Sequence, residues 1–383
     1  MTSSAAAAIA ALECLSRDGR SCRRPPATGH SIRISQFPIA DSDSWFEEGW
    51  FRIHFRCNKL SFNKIVEIIS VFWDTVNPPI GHNAHFFHSE RVAVCLHYLT
   101  HSGSIIDSAK VFGMSKASAV RYIDQVIHVI IRCLGKKFIR LPRTSDEWNE
   151  LSTGFESICG FPDTCLAVDG SLFEIERPAD YEGRYCRKGY PAINAQIVVD
   201  HKKRIRYYCL RPGSENDKGV FNRSRFGQEI GRLLPAQKMI IADAGYQLLT
   251  YCMIPYEISE NMPRKERNYN YLHSRTRITV EVAIGLLKGR FRIFKRPLNH
   301  KGNVNNGYDN STGGKIGVIQ MARLIRACFI LHNVLIDLGN DTAIDLETDS
   351  NATELGDLDD AESVSGQAAK QKRDMIREML WQS

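Results

Sequence analysis

The stretch Cys165-Leu166-Ala167-Val168-Asp169-Gly170 is an apolar run of strand length that ends on a carboxylate followed by glycine. Met239-Ile240-Ile241-Ala242-Asp243-Ala244-Gly245 repeats the pattern 74 positions further on. Short apolar runs bounded by turn residues suit buried strands. A carboxylate closing such a strand is held rigidly at the sheet edge, and the neighbouring glycine lets a ligand approach the backbone closely. Taken singly, each Asp reads better as a cap of the turn after its strand. Ile193 to Val199 and Tyr207 to Leu210 supply two further strands, so the sequence predicts a mixed α/β domain over residues 151–338.

Working outward, residues 45–150 carry a helical period. Phe62, Ile65, Val66, Ile69 and Phe72 form one stripe, Val92, Leu96 and Leu99 resume it, and Pro78-Pro79-Ile80-Gly81 breaks the chain between them. Within this all-α half, residues 105–131 read as helix, glycine turn and helix: Gly113 makes the turn, Ser115 is an N-cap, and Val120, Ile123 and Ile127 face the first helix. In a DNA-reading helix-turn-helix the second helix, here Ser115 to about Val129, offers its N-terminal residues to the major groove, which would put Lys116, Ser118 and Arg121 against DNA. An ordinary αα-hairpin in a bundle fits the same pattern.

A third acid lies on a helix expected from Arg277 to about Lys295. Helical spacing buries Val280, Ile284, Leu287 and Phe291 and leaves Glu281, Gly285, Lys288 and Arg292 on the next face. Two Asp and one Glu without His or Cys make a hard oxygen site suited to Mg²⁺ or Mn²⁺. Two such ions about 4 Å apart would activate water and stabilise the leaving oxygen in phosphodiester cleavage. Glu281 also reads as a surface partner of Arg277 one turn earlier, a helix pair contributing only about 0.3 to 0.5 kcal/mol. Arg187, Lys188, Lys288 and Arg292 are the cations expected to track phosphates beside the acids.

The ordered phrases Val168-Asp169-Gly170-Ser171, Arg187-Lys188-Gly189-Tyr190 with Asn194 and Gln196, Pro212 to Asp217, Ala242 to Tyr246, Val280-Glu281 through Arg292, and Leu331-His332-Asn333 resemble the PIF/Harbinger transposases and their domesticated nuclease relatives, over roughly residues 50 to 338. The resemblance implies an RNase H-like catalytic domain, a mixed sheet flanked by helices, with Asp169, Asp243 and Glu281 as a DDE triad, preceded by the all-α helix-turn-helix region. It also implies a two-metal DNA endonuclease or transposase, a separate Myb-like helper protein, and a nuclear location. The family more often has Thr at Ser171, Arg at Val282 and an aromatic at Ile284, departures that touch packing rather than ligation. Asp217 matches a recurrent family acid; it reads either as an additional metal residue or as the N-cap of a helix from Gly219.

Composition sets the remaining bounds. Residues 341–362 hold nine acids and no Lys or Arg, so setting them aside from the +7 net charge leaves a body of +16. A disordered arm is expected over 1–44, with Ala5 to Leu12 reading as part of it rather than as a signal peptide, and an acidic flexible tail over 339–383 ending in a short helix, Lys370 to Leu380. No run reaches the roughly 18 to 20 apolar residues of a membrane span, so no membrane partner is expected. The eleven Cys show no CxxC spacing and read as reduced thiols of a cytosolic or nuclear protein. The His residues show no ligand spacing, and His332 reads as a core histidine. DNA is the expected partner and self-association is open. The alternative to a nuclease is a catalytically silent DNA-binding or regulatory protein that keeps the transposase fold; metal-dependent nicking separates the two.

Overall fold

A computed structural model describes residues 45–101, 104–177, 185–298, 313–340 and 366–382. The arm expected over 1–44 and the acidic stretch 341–362 lie outside the described residues.

Among the described residues the first half opens with five α-helices, α1 (Trp45–Phe55), α2 (Lys59–Val76), α3 (His88–Thr100), α4 (Ile105–Val111) and α5 (Lys116–Val129), and continues through a π turn, Ile130–Leu134, and a short helical turn, Gly135–Phe138. Helix α2 starts where the Asn58 side chain accepts the Ser61 N–H, satisfying one of the free donors of its first turn. Its buried stripe is Phe62, Ile65, Ile69 and a fully buried Trp73, while Val66 and Phe72 are half-buried. Gly113 turns the chain between α4 and α5 at φ +63, and Ser115 caps α5 by accepting the Ser118 N–H. Ile123 and Ile127 are buried as the spacing predicts, Val120 is half-buried, and Ala119 and Val126 fill its place in the packed face.

Helix α6 (Ser145–Cys159), capped by Thr144 and ended by Gly160 at φ +75, leads into a five-stranded sheet. The strands are β1 (Thr164–Glu174), β2 (Ala192–Val199), β3 (Ile205–Pro212), β4 (Met239–Ile241) and β5 (Cys252–Met253). Their order is β3-β2-β1-β4-β5, antiparallel among the first three and parallel from β1 to β5. Helices α7 (Asp217–Arg223) and α8 (Arg225–Leu233) follow β3, and α9 (Arg264–Arg290), α10 (Gly313–Asp337) and α11 (Gln367–Gln382) follow the sheet.

Alternation along the strands feeds two cores. Ala167, Ile197, Val199 and Ile241 pack with Val280, Ala283 and Leu287 of α9 in a core continuous with the helical half. Leu166, Val168, Val198 and Ile240 pack on the other face with Trp148 of α6 and with Phe226 and Ile230 of α8.

Several expectations need correction. Asp169 does not close its strand: β1 runs on to Glu174 because antiparallel β2 keeps pairing with it, Asp169 opposite Ile197, after parallel β4 has ended. At the β2–β3 turn Arg204, with Arg206, binds the fully buried Asp200, at 2.9 and 2.8 Å. The terminal helix is not part of a flexible tail. It buries Ala369, Ile376 and Leu380 and holds α9 through Arg377–Glu266, Lys265–Glu378 and the Leu380 carbonyl on Asn268. One helix does reach membrane-span length and apolarity, Gly317–Asp337 in α10, with a mean hydropathy of 1.4. Two thirds of that window is buried inside the protein, which accounts for its composition.

Within α10, the Leu-His-Asn phrase clamps the β2–β3 hairpin. Buried Asn333 accepts the Ile205 N–H at 2.8 Å and donates to the carbonyls of Ile205 and Phe138, and His332 Nε2 meets the Lys203 carbonyl at 3.0 Å. His332 is thus a core histidine.

Candidate active site

Side-chain alternation decides which acids can meet. Asp169 follows Ala167 on the face of β1 covered by α9, and Asp243 follows Ile241 on the same face, just past the end of β4. Helix α9 crosses that face with Val280, Ala283 and Leu287 buried, which brings Arg277 and Glu281 to the sheet. The Arg277 guanidinium donates to Asp169 Oδ2 at 3.3 Å and also to Glu281 Oε1. The reading of Glu281 as a helix partner of Arg277 and the reading of it as a neighbour of Asp169 are therefore both realised.

Asp217 arrives from the opposite face. Its helix is capped by Asn216, whose side chain accepts the Gly219 N–H, so the N-cap reading of Asp217 gives way. The Asp217 carboxylate leans over Gly170, where an added Cβ would come within 2.1 Å of Oδ1, and it accepts from Asn194 Nδ2 at 3.1 Å. Only glycine at 170 permits this approach.

The electrostatics show the acids to be a cluster. Burial pushes Asp169 up to about 7, and the charges of Asp243 and Asp217 add to that against the pull of Arg277 and the Gly170 N–H. Asp243 is also raised, first by burial and then by Asp217, with Arg277 and Arg187 opposing. Backbone donors hold single carboxylate oxygens in place: Gly170 N–H to Asp169 Oδ1 at 2.8 Å and Gly245 N–H to Asp243 Oδ1 at 3.1 Å. Beneath them Tyr246 is buried, its hydroxyl accepting from Gln196 Nε2 at 3.3 Å; burial and then the charges of Asp217, Asp169 and Asp243 raise its pKa.

Asp169, Asp217, Asp243 and Glu281 thus offer hard oxygen donors in one neighbourhood, with Arg277 bridging Asp169 and Glu281; among the described residues no three of these carboxylates bring oxygens within 4.8 Å of one another. Burial first, and then neighbouring acids, raise Asp169 and Asp243, so negative charge there is poorly compensated, which is the condition a divalent cation relieves. By the chemistry of its donors the set suits such an ion.

The expected DNA-contacting residues fall into two groups. Lys116 and Arg121 are exposed on α5, and Arg187 and Lys188 are exposed in the turn beside the acids. Ser118 is half-buried with its hydroxyl accepting from Ser115 at 2.9 Å. Lys288 is engaged by the Leu172 carbonyl at 3.2 Å and lies over the Phe173 ring, and Arg292 is half-buried beside His101.

Sequence reasoning assigned no role to Asn194, Gln196 or Tyr246. The signal was present: Asn194 and Gln196 are the two polar positions of an otherwise apolar strand, two apart and so on one face. It also missed a gathering of His54, His97 and His101, although the last two stand four apart on one helix.

Comparison with known proteins places this geometry. Residues 168–333 match the family described as DDE superfamily endonuclease. The chain is 24% identical over 321 residues to an Arabidopsis thaliana protein named ALP1-like, covering 77% of this chain and 72% of that one. It is 26% identical over 232 residues to the HARBI1 protein of Rattus norvegicus, whose name proposes a nuclease, covering 60% of this chain. The chain spans 62% of that relative's length. A second Arabidopsis thaliana protein, named as an antagonist of like heterochromatin protein 1, is 24% identical over 332 residues, covering 79% of this chain and 76% of its own. No solved structure matches. The family resemblance read from the sequence is borne out by these matches.

Proposed function

We propose that this chain, which carries a DDE superfamily endonuclease domain, is a metal-dependent DNA nuclease of PIF/Harbinger type with an RNase H-like catalytic fold. The observation that carries the reading is the approach of Asp217 over Gly170 beside Asp169, with Asp243 close enough to raise Asp169 and Glu281 joined to Asp169 through Arg277, acids drawn from β1, the start of α7, the end of β4 and α9. Asp169 and Asp243 would hold Mg²⁺ or Mn²⁺, Glu281 would complete a second ion, and Asp217 would support the pair. When bound, two such ions activate water and stabilise the leaving oxygen of a phosphodiester.

The chain's own residues do the positioning. The Gly170 and Gly245 N–H groups fix one oxygen each of Asp169 and Asp243, and the second Asp169 oxygen is held by Arg277 until an ion takes its place. Asn194 holds Asp217, and the Gln196–Tyr246 pair supplies a polar floor. Arg277 keeps Asp169 and Glu281 together while the acids are otherwise repelled. Exposed Arg187 and Lys188 suit phosphate tracking close to the reacting bond, and Lys116 and Arg121 at the start of α5 suit a major-groove contact. A nuclear location, a Myb-like helper and self-association extend the same reading. The relative named for antagonism of a heterochromatin protein adds a chromatin protein as a partner class.

A second reading has its own observation. With Arg277 bonded to both Asp169 and Glu281, two of the acids already have a counter-charge, as a silent DNA-binding descendant of the fold would require. Supercoiled plasmid with Mg²⁺ or Mn²⁺ decides: nicking that EDTA abolishes supports the nuclease. DNA binding without nicking by wild type supports the silent form.

A further inference from the structure

The helical half holds a second cluster of metal-ligating side chains, built from a different chemistry. Helix α1 presents His54, and α3 presents His97 and His101 four residues apart, hence on one face. Each ring has a nitrogen within 4.8 Å of one in both others. The His97 and His101 rings stack at 3.9 Å and 9°, and His54 lies 5.5 Å from each.

We propose that His54, His97 and His101 form a zinc site that fastens α1 to α3, with its fourth coordination position open to water.

Donor chemistry selects the ion. Three imidazoles without a carboxylate or thiol among them suit Zn²⁺ and leave Mg²⁺ and Ca²⁺ poorly served. Hydrogen bonding selects the nitrogens. The Thr100 hydroxyl donates its single proton to the carbonyls of Leu96 and His54, at 2.8 and 2.7 Å. Towards His101 Nδ1, 3.3 Å away, it can therefore only accept. With that proton on a carbonyl, the His101 proton sits on Nδ1 and the lone pair on Nε2. His97 Nδ1 is paired with the Ser108 hydroxyl at 2.9 Å, again leaving Nε2 for a ligand. A hydrogen-bond partner on the far nitrogen is how ligating histidines are oriented. His54 Nδ1 is buried and has no hydrogen-bond partner, a cost that a bound ion would remove.

The plain alternative is three aromatic rings filling a gap between Trp50 and Phe112. It accounts for the stacking and leaves the His54 nitrogen unexplained. The site has a structural position of its own: α3 also packs on the 3-10 turn Arg292–Lys295, which follows the helix bearing Glu281. A zinc there would fix the helical half against the end of that helix, independently of whether the acids cleave DNA.

The test uses the full chain. It is stripped with chelator, its fold is checked by circular dichroism, and it is titrated with Zn²⁺ alone and with Co²⁺ alone. Wild type should take up about one Zn²⁺ per chain and give the visible absorption of tetrahedral Co²⁺. Asp169→Asn should keep the tetrahedral Co²⁺ absorption, and His101→Gln should bind at that site more than 10-fold more weakly, beyond the low end of what losing an outer partner costs. Zn²⁺ uptake that falls in Asp169→Asn but survives in His101→Gln would overturn the proposal. So would a folded wild type that gives no tetrahedral Co²⁺ spectrum, whether or not the variant folds.

Discussion

The sheet half and the helical half each gather titratable side chains, and they do it in opposite ways. Asp169, Asp217, Asp243 and Glu281 come from four elements and converge because a mixed sheet ends its parallel strand while its antiparallel partner continues. His97 and His101 come from one helix, and a single neighbouring helix adds His54. The acids are like charges that repel and need either Arg277 or a cation. The imidazoles are neutral rings that stack and lack only a partner for one nitrogen. A site of repelling charges costs stability and is expected where chemistry requires it. A site of neutral donors costs little and suits a structural clasp.

The largest effect expected is on the acids. Asp169→Asn should slow metal-dependent nicking at least about 10- to 100-fold, since losing even an outer partner can cost that much, and should leave Zn²⁺ uptake at the histidines intact. Unchanged nicking in that variant would remove the distinction between the two clusters, because the acids would then be as structural as the rings. Next comes Gly170→Ala. The added Cβ meets Asp217 Oδ1 at 2.1 Å, and the atom in its way is the end of a side chain, so Asp217 swings aside and the sheet stays intact. Nicking should fall about 10-fold, on the scale of an outer metal partner, with the melting temperature nearly unchanged. A large loss of stability would mean that Asp217 is locked by the fold and not poised for a ligand.

How far the sequence foretold this follows from the same contrast. The acids were legible because each one touches a local signal: Asp169 and Asp243 follow apolar runs, and Glu281 sits at helical spacing from buried residues. Their true geometry was not, since the length of β1 depends on pairing with β2, a contact that no local run encodes. Arg277 was visible as a partner of Glu281 at i, i+4, but its second bond, to Asp169, crosses 108 positions. The histidine cluster stayed hidden for a related reason. His97 and His101 display ligand spacing, yet the third ring is supplied by α1, and only helix packing brings it there. Lys288 shows the converse: its helical face read as open to phosphate, and the Leu172 carbonyl takes it.

Acid titration sharpens the comparison through histidines that are fully enclosed. Burial pushes His332 down to about 3 and His273 down to about 4, from an ordinary value of 6.5. Both are neutral in the fold, whereas the unfolded chain binds a proton on each below pH 6.5. Stability is therefore fully present above 6.5 and falls as pH drops towards the folded values, with a slope approaching about 1.4 kcal/mol per pH unit for each group. Denaturant melts from pH 7 to 4.5 should show this decline, and His332→Gln should flatten it by up to one such slope. A decline that is unchanged in His332→Gln would place the acid sensitivity elsewhere.

The smallest effect calibrates the others. Arg140 and Glu147 make a two-pronged pair at the start of α6, with Arg140 Nη2 to Glu147 Oε1 at 2.6 Å. The Arg140 hydrogen bond, joined by the Arg143 and Thr144 contacts, holds the Glu147 carboxyl down to about 2. Its sign is that of a depressed carboxylate: the stabilisation is present above the ordinary value of 4.5 and is lost as pH falls through about 2. The Glu147 side chain is 34% exposed, so solvent screening reduces the gain to the scale of about 1 kcal/mol or less. Glu147→Gln should therefore cost about that much at pH 7 and nothing near pH 2, read by urea melts. If this partly solvated pair costs as much as the enclosed histidines, then burial is not what separates charges that matter from charges that do not, and the reading of the buried acids as an uncompensated cluster loses its physical basis.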